Sequence, residues 1–150
     1  MFDSATVQVP RKSFDRRFSR PLIPTALIVE DHPDFRDLLL LILERLGYTV
    51  LEADDGETAL RLAASAQPNL IVTDLGLPVM NGLEFVQQLR PVLANPNDSR
   101  VIMLTAYDRR DYAEDALNAG CDAILSKPVD LDQFESLIGS LAAHSTTRIH

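Results

Sequence analysis

Five short apolar runs, each followed by a stretch with helical character, limit this chain more than any other feature. Ala26–Glu30 reads as strand one, and Pro33 suits the first turn of a helix that continues over Asp34–Leu46 and ends at Gly47. Tyr48–Glu52 reads as strand two, followed by helix two over Asp55–Ala66, closed before Pro68. Leu70–Thr73 is strand three and Leu83–Leu93 helix three. Val101–Leu104 is strand four, followed by helix four over Arg109–Ala119, stopped by Gly120. Ala123–Leu125 and Leu131–Ala143 complete the alternation as strand five and helix five. Repeated β-α units imply a parallel sheet with helices on both faces. Unbroken apolar strands such as Leu70–Val72 and Val101–Leu104 suit a sheet covered on both sides. With right-handed crossovers, the expected fold is a three-layer, doubly wound α/β domain with strand order 2-1-3-4-5.

The length of 150 residues fits one such domain, over residues 24–144, with some excess at the ends. Residues 1–23 show no period and are expected to form a flexible basic arm; residues 145–150 are expected to be a short tail. The segment Ala94–Arg100, with Pro96 and Asn97, is expected to be a surface turn. Residues 1–24 carry a net charge of +3 and the remaining 126 a net of −11, together the −8 of the whole chain. An acidic body opposes non-specific nucleic-acid binding, which depends on neutralising phosphates. The single cysteine, Cys121, allows no internal disulfide and reads as a small buried hydrophobe. No run approaches the roughly 20 apolar residues of a membrane span. Arg16-Arg17 is followed by a stretch that reads as a core strand, not an export signal, so a cytoplasmic location is expected.

In open parallel sheets, sites form outside the carboxyl ends of the strands. Strand one runs into Glu30-Asp31, strand three into Asp74, strand four into Thr105-Ala106 and strand five into Ser126-Lys127-Pro128. Three carboxylates, a hydroxyl and an ammonium therefore gather on one edge. Crowded carboxylates repel, which raises pKa values and destabilises the site. A hard divalent cation relieves that repulsion, and Mg²⁺ is commonly held by one or two carboxylates together with phosphate oxygens. A phosphoryl group in transfer spreads charge over three oxygens. Mg²⁺ can take one, the Thr105 hydroxyl with a nearby backbone N–H a second, and Lys127 the third. An aspartate can serve as the nucleophile, and Asp74, on the central strand, is the candidate. Lys127 is one of two lysines in the chain, against twelve arginines, so a compact charge has been placed at this strand end.

The chain from about Thr25 to Ala143 resembles the receiver domain of bacterial two-component response regulators. The matching pieces are IVEDHP at 28–33, VTDLGLPVMNG at 72–82, MLTA at 103–106 and LSKPV at 125–129. Their spacing fits too: 43 residues separate Asp31 from Asp74, 31 separate Asp74 from Thr105, and 22 separate Thr105 from Lys127. The resemblance implies a flavodoxin-like (βα)5 fold, with Asp74 as the phosphoacceptor. It implies that Asp31 binds Mg²⁺ directly together with Asp74, that Glu30 contributes mainly through water, and that the Gly76 carbonyl is a further ligand. Thr105 would bond a phosphoryl oxygen and shift inward on activation, Ala106 would leave room for the donor, and Lys127 would pair with the phosphoryl group. The Lys127–Pro128 bond would be cis, and Pro78 with Asn81-Gly82 would shape the neighbouring loop.

Two positions depart from the family's pattern. Glu30 stands where Asp is frequent, and Ile124 stands where many receivers carry the Tyr or Phe whose rotation reports phosphorylation. Tyr107, two residues after Thr105, lies near the expected site mouth. The implied function is a stand-alone phosphoacceptor, not a conventional enzyme, that assists its own phosphorylation and dephosphorylation. The phosphoryl group would come from a histidine kinase or histidine phosphotransfer protein, and output would pass in trans to a partner protein. The alternative is a receiver-like scaffold that binds partners without phosphorylation. An aspartyl-phosphate phosphatase is opposed by Gly76, where that class places a second Asp, and a dinucleotide protein by the lack of a Gly-rich loop after strand one. Leu38–Leu43, six apolar residues in a row, must wrap around helix one, which raises a partner-facing role that includes a homodimer.

Overall fold

The computed structural model describes residues 23–147, with side chains to residue 143, and two N-terminal dipeptides, Phe2–Asp3 and Ala5–Thr6, that pair antiparallel. The expected arm over residues 1–23 otherwise lies outside the described residues. Five parallel strands follow: β1 Thr25–Val29, β2 Thr49–Ala53, β3 Leu70–Asp74, β4 Arg100–Thr105 and β5 Ala123–Ser126. They lie in the order β2-β1-β3-β4-β5, as the alternation implies. Helices α1 Pro33–Arg45, α2 Gly56–Ala66, α3 Gly82–Leu89, α4 Arg109–Ala119 and α5 Leu131–Thr147 connect or follow them.

The sheet separates two cores. On one face Leu39, Ile42 and Leu43 of α1 and Phe134 and Ile138 of α5 pack on Ile28, Val72 and Ile102. On the other, Ala59 and Ala63 of α2, Phe85 and Leu89 of α3 and Ala116 of α4 pack on Leu27, Ile71 and Val101. Alternate residues of each strand thus serve opposite cores, which is why β3 and β4 are buried along their whole length. Cys121 is buried in the second core, as expected; its thiol is pushed up to about 12 by burial and by the Asp122 carboxylate.

Helix starts are set locally. The side chains of Asp55, Asn81 and Asp108 accept backbone N–H bonds at the starts of α2, α3 and α4, and Asn81 forms a reciprocal capping box with Glu84. His32 caps α1 with Pro33 at its first position.

Most element ends fall within a residue of the sequence reading, and three features depart from it further. Helix α3 stops at Leu89, not Leu93, and continues as a 3-10 turn over Arg90–Val92. Pro91 lacks an N–H and crowds the preceding turn, so the α-helix cannot pass it. The segment Ala94–Arg100 is not all surface: Ser99 and Arg100 are buried, with the Ser99 hydroxyl donating to the Pro68 carbonyl at 2.6 Å. Helix α5 runs to Thr147, beyond Ala143 and into the expected tail, since no Pro or Gly intervenes to stop it. In α1 the apolar run divides by helical period: Leu39, Ile42 and Leu43 are buried, while Leu38 and Leu41 are 40% and 59% exposed.

The α2 cap carries a pH signature. The Asp55 carboxyl is held below its ordinary 3.8 mainly by the Thr58 N–H it accepts. A group with a lowered folded pKa stabilises above its unfolded pKa, and that stability is lost as pH falls through the folded value. Asp55→Ala is therefore expected to lower the melting temperature at pH 7, with the gap to the parent narrowing in melts below pH 3.8. A gap of constant size across that range would show that the carboxylate bond is not its cause.

Candidate functional site

Parallel register brings the carboxyl ends of four strands to one edge. Asp74 is the last residue of β3, opposite Leu104; Thr105 ends β4, opposite Ser126 of β5. Glu30 follows β1 directly and its N–H donates to Ala53 of β2. The Lys127 N–H donates to the Thr105 carbonyl at 2.7 Å, extending the β4–β5 ladder by one bond. The expected residues Glu30, Asp31, Asp74, Thr105 and Lys127 thus sit on adjoining strand ends.

Burial then dictates the electrostatics. Glu30 is 1% exposed and Asp74 is 8% exposed. A buried carboxylate must be paired or hydrogen-bonded to remain ionised. The Lys127 Nζ lies 3.1 Å from Glu30 Oε1 and 3.3 Å from Asp74 Oδ1, so one ammonium answers both charges. The other Glu30 oxygen, Oε2, accepts the His32 N–H at 3.0 Å. Burial nevertheless pushes the Glu30 carboxyl up, and Asp74 adds to this; the His32 N–H and Lys127 pull the other way.

Glu30, Asp31 and Asp74 each offer a carboxylate oxygen, and these atoms lie within 4.8 Å of one another. An all-oxygen cluster with one exposed member, Asp31, fits a hard cation such as Mg²⁺ that keeps part of its water shell. Both Glu30 oxygens are engaged, one by Lys127 and one by the His32 N–H, while Lys127 meets Asp74 at Oδ1. Gly76 is exposed two residues past Asp74. A Cβ there would lie 3.9 Å from Asp74 Oδ2, an ordinary contact, so the room left by this glycine is not itself demanded by the carboxylate.

Gly82 is different. A Cβ at Gly82 would fall 2.4 Å from the Asp74 carbonyl oxygen and 2.8 Å from Leu75 Cα. The Gly82 N–H donates to the Leu75 carbonyl at 2.8 Å and closes the loop. Leu75 and Leu77 anchor that loop in the core, while Pro78 and Val79 stand outside. Any side chain at position 82 would push the start of α3 away from the phosphoacceptor candidate.

The remaining expected residues separate by environment. Thr105 is fully buried, and its hydroxyl accepts the Tyr107 N–H at 2.9 Å. Ala106 is exposed. The Tyr107 ring is exposed and tilts against Tyr112 of α4, 5.9 Å between centroids. Ile124 is half-buried and packs on the core beneath α2, α3 and α4. The Lys127–Pro128 bond is cis, as the resemblance implies.

Two residues of α1 join the site without a clear sequence signal. The Arg36 Nη1 donates to the Glu30 carbonyl at 2.8 Å, while its Nε lies 3.3 Å from Glu52 Oε1, so it ties the β1 end to β2. The Lys127 Nζ lies 4.6 Å from the centroid of the Phe35 ring. Phe35 and Arg36 follow Asp31 by four and five residues, and nothing in that spacing sets them apart from the first turn of a helix with no site.

The response regulator receiver domain model matches residues 26–139. A putative transcriptional regulator of Pseudomonas aeruginosa is 36% identical over 108 residues, covering 71% of this chain and 51% of the relative. The KDP operon transcriptional regulatory protein KdpE of Escherichia coli is 39% identical over 122 residues, covering 81% and 52% respectively. The chain thus spans about half the length of these two curated relatives. A 14.6 kDa protein of Leptolyngbya boryana is 39% identical over 104 residues, covering 69% of this chain and 79% of that protein. Among solved structures, the chemotaxis response regulator CheY4 of Vibrio cholerae is similar with a TM-score of 0.72 and 27% identity, covering 79% of this chain and 98% of that chain.

Three carboxylates lie together and the Lys127 ammonium pairs with two of them, Glu30 and Asp74, so their mutual repulsion is not fully offset. Mg²⁺ is expected to raise the melting temperature of the parent protein by binding only its folded state. In the presence of chelator, Asp74→Asn is expected to melt higher by about 2–4 °C, the shift that ~1 kcal/mol produces in a domain of this size. A metal-free variant that melts at or below the parent would contradict the crowding argument.

Proposed function

The chain belongs to the response regulator receiver domain family, and from that premise we propose that it takes a phosphoryl group from a phosphohistidine onto Asp74 in a two-component phosphorelay. The observation that carries this reading is the Asp74 carboxylate itself. It ends the central strand, nearly buried, 3.3 Å from Lys127 Nζ and within a cluster of three carboxylates.

In the proposed transfer an Asp74 carboxylate oxygen attacks phosphorus. The O–P bond forms, the P–N bond to the donor imidazole breaks, and the imidazole leaves with a proton. Lys127 follows the charge from the carboxylate onto a phosphoryl oxygen, retaining Glu30 as its second partner. Thr105 donates its hydroxyl hydrogen to a phosphoryl oxygen, while the same oxygen can go on accepting the Tyr107 N–H. Ala106, small and exposed, admits the donor. Mg²⁺ held by Asp31, Asp74 and the Gly76 carbonyl, with Glu30 acting through water, would supply charge neutralisation on the phosphoryl oxygens. Hydrolysis reverses the modification: water attacks phosphorus, the O–P bond breaks, and carboxylate and inorganic phosphate are restored.

The partner in this reading is a histidine kinase or a histidine phosphotransfer protein. Output passes to a protein in trans, and a homodimer through the exposed Leu38 and Leu41 of α1 is part of the proposal. With Ile124 packed in the core instead of an aromatic ring, the signal would travel through Thr105 and its loop to Tyr107 and α4. No helix among the described residues is long and apolar enough to cross a membrane. A cytoplasmic receiver is the reading we adopt over a phosphorylation-independent scaffold, because a scaffold has no use for three crowded carboxylates beside a half-buried lysine.

Incubation with acetyl phosphate and Mg²⁺ is expected to add one phosphoryl group by intact mass. Asp74→Asn and a chelator are each expected to abolish the addition. Addition that persists in Asp74→Asn would remove Asp74 from the role. Absence of any addition, repeated with beryllofluoride and phosphorylated histidine donors, would favour the scaffold.

A further inference from the structure

An ammonium group has three N–H donors and no acceptor. For Lys127, two directions are taken by Glu30 Oε1 at 3.1 Å and Asp74 Oδ1 at 3.3 Å. The third element around the nitrogen is the Phe35 ring, its centroid 4.6 Å away. This lies inside the roughly 6 Å over which a cation is attracted to the negative face of an aromatic ring. The lysine side chain is mostly withdrawn from water, and such attraction strengthens with desolvation.

We infer that Phe35 is a positioning residue for Lys127, acting through the face of its ring, an inference that rests on the phosphoacceptor reading of Asp74. A lysine stem is flexible and would otherwise sample water or fold onto one carboxylate alone. The ring gives the ammonium a third, non-competing contact that stays when Asp74 is modified. As charge moves from the Asp74 carboxylate onto a phosphoryl oxygen, the Lys127 bond to Asp74 is replaced; the contacts with Glu30 and Phe35 need not change. The ring in turn is held in place. Phe35 lies in the first turn of α1, its N–H faces the His32 side chain at 3.4 Å, and its body packs at the edge of the core shared by α1 and α5. A leucine could fill that edge, but it has no face to attract a cation.

The test separates shape from ring electrostatics. Phe35→Leu keeps an apolar side chain, Phe35→Tyr keeps the π face, and Phe35→pentafluorophenylalanine keeps the shape but reverses the ring's polarity. With a small phosphodonor and Mg²⁺, the phosphorylation rate is expected to fall roughly three- to tenfold in the leucine and pentafluoro variants, the range expected of a partly desolvated cation–π contact. Phe35→Tyr is expected to match the parent. Equal rates in all four proteins would overturn the inference, as would equal losses in the tyrosine and leucine variants. Lys12 and Lys127 are the only lysines, so lysine-labelled protein gives two ε-methylene signals, assigned with Lys12→Arg. The Lys127 signal is expected upfield in the parent and shifted back in Phe35→Leu; no difference would overturn the inference even with no donor present. A parent protein that accepts no phosphoryl group would sink the Asp74 reading instead, and the ε-methylene shift alone would then decide the placement of Lys127.

Discussion

A single ammonium stands between two carboxylates that the fold has buried. Lys127 Nζ reaches Glu30 at 3.1 Å and Asp74 at 3.3 Å, and it is the cation that answers both at a low-dielectric edge. Several unrelated features converge on this arrangement. The Thr105 carbonyl anchors the backbone of Lys127, Arg36 holds the backbone of Glu30, and the absence of a side chain at Gly82 lets α3 begin against the backbone of Asp74. These contacts come from four different β-α units, so the site exists only when the sheet has closed in its order β2-β1-β3-β4-β5.

The same arrangement explains why a strand as apolar as Leu70–Thr73 ends in a charge. The side chains of β3 alternate between the two cores, and Asp74 is where the strand reaches the carboxyl edge of the sheet. A carboxylate there is withdrawn from bulk water yet within reach of an ammonium and of two further carboxylates. Withdrawal keeps the carboxylate in place and strengthens each electrostatic contact it makes. Crowding with Glu30 and Asp31 gives a divalent cation a reason to bind. Both conditions serve the chemistry of phosphoryl transfer, which depends on positioning and on charge stabilisation.

Much of this is legible in the amino-acid sequence. The β-α alternation reports the sheet because a fully covered parallel strand must be apolar throughout, and Leu70–Val72 and Val101–Leu104 are. The candidate site residues are legible because parallel strands deliver their carboxyl ends to one edge, so the residues at or just past the ends of β1, β3, β4 and β5 come together there. The features that stay hidden depend on three-dimensional approach. Phe35 and Arg36 look like ordinary first-turn residues of an amphipathic helix, and only the fold carries Lys127 and Glu30 to them. Gly82 is legible as a loop glycine, but the 2.4 Å that would separate its Cβ from the Asp74 carbonyl is not. Pro91 is legible in principle, since a proline inside a helical pattern marks a break, and the apolar period of Leu83–Leu93 masks it. The extension of α5 to Thr147 lacks any stop signal to read.

The central claim is that Asp74, and neither of the neighbouring carboxylates, takes the phosphoryl group. The most direct measurement is borohydride reduction of the freshly phosphorylated protein, which converts an aspartyl phosphate to homoserine, followed by peptide mass mapping. The account predicts homoserine at position 74 and unmodified acids at positions 30 and 31. Reduction at Asp31 or Glu30, with Asp74 left intact, would contradict it.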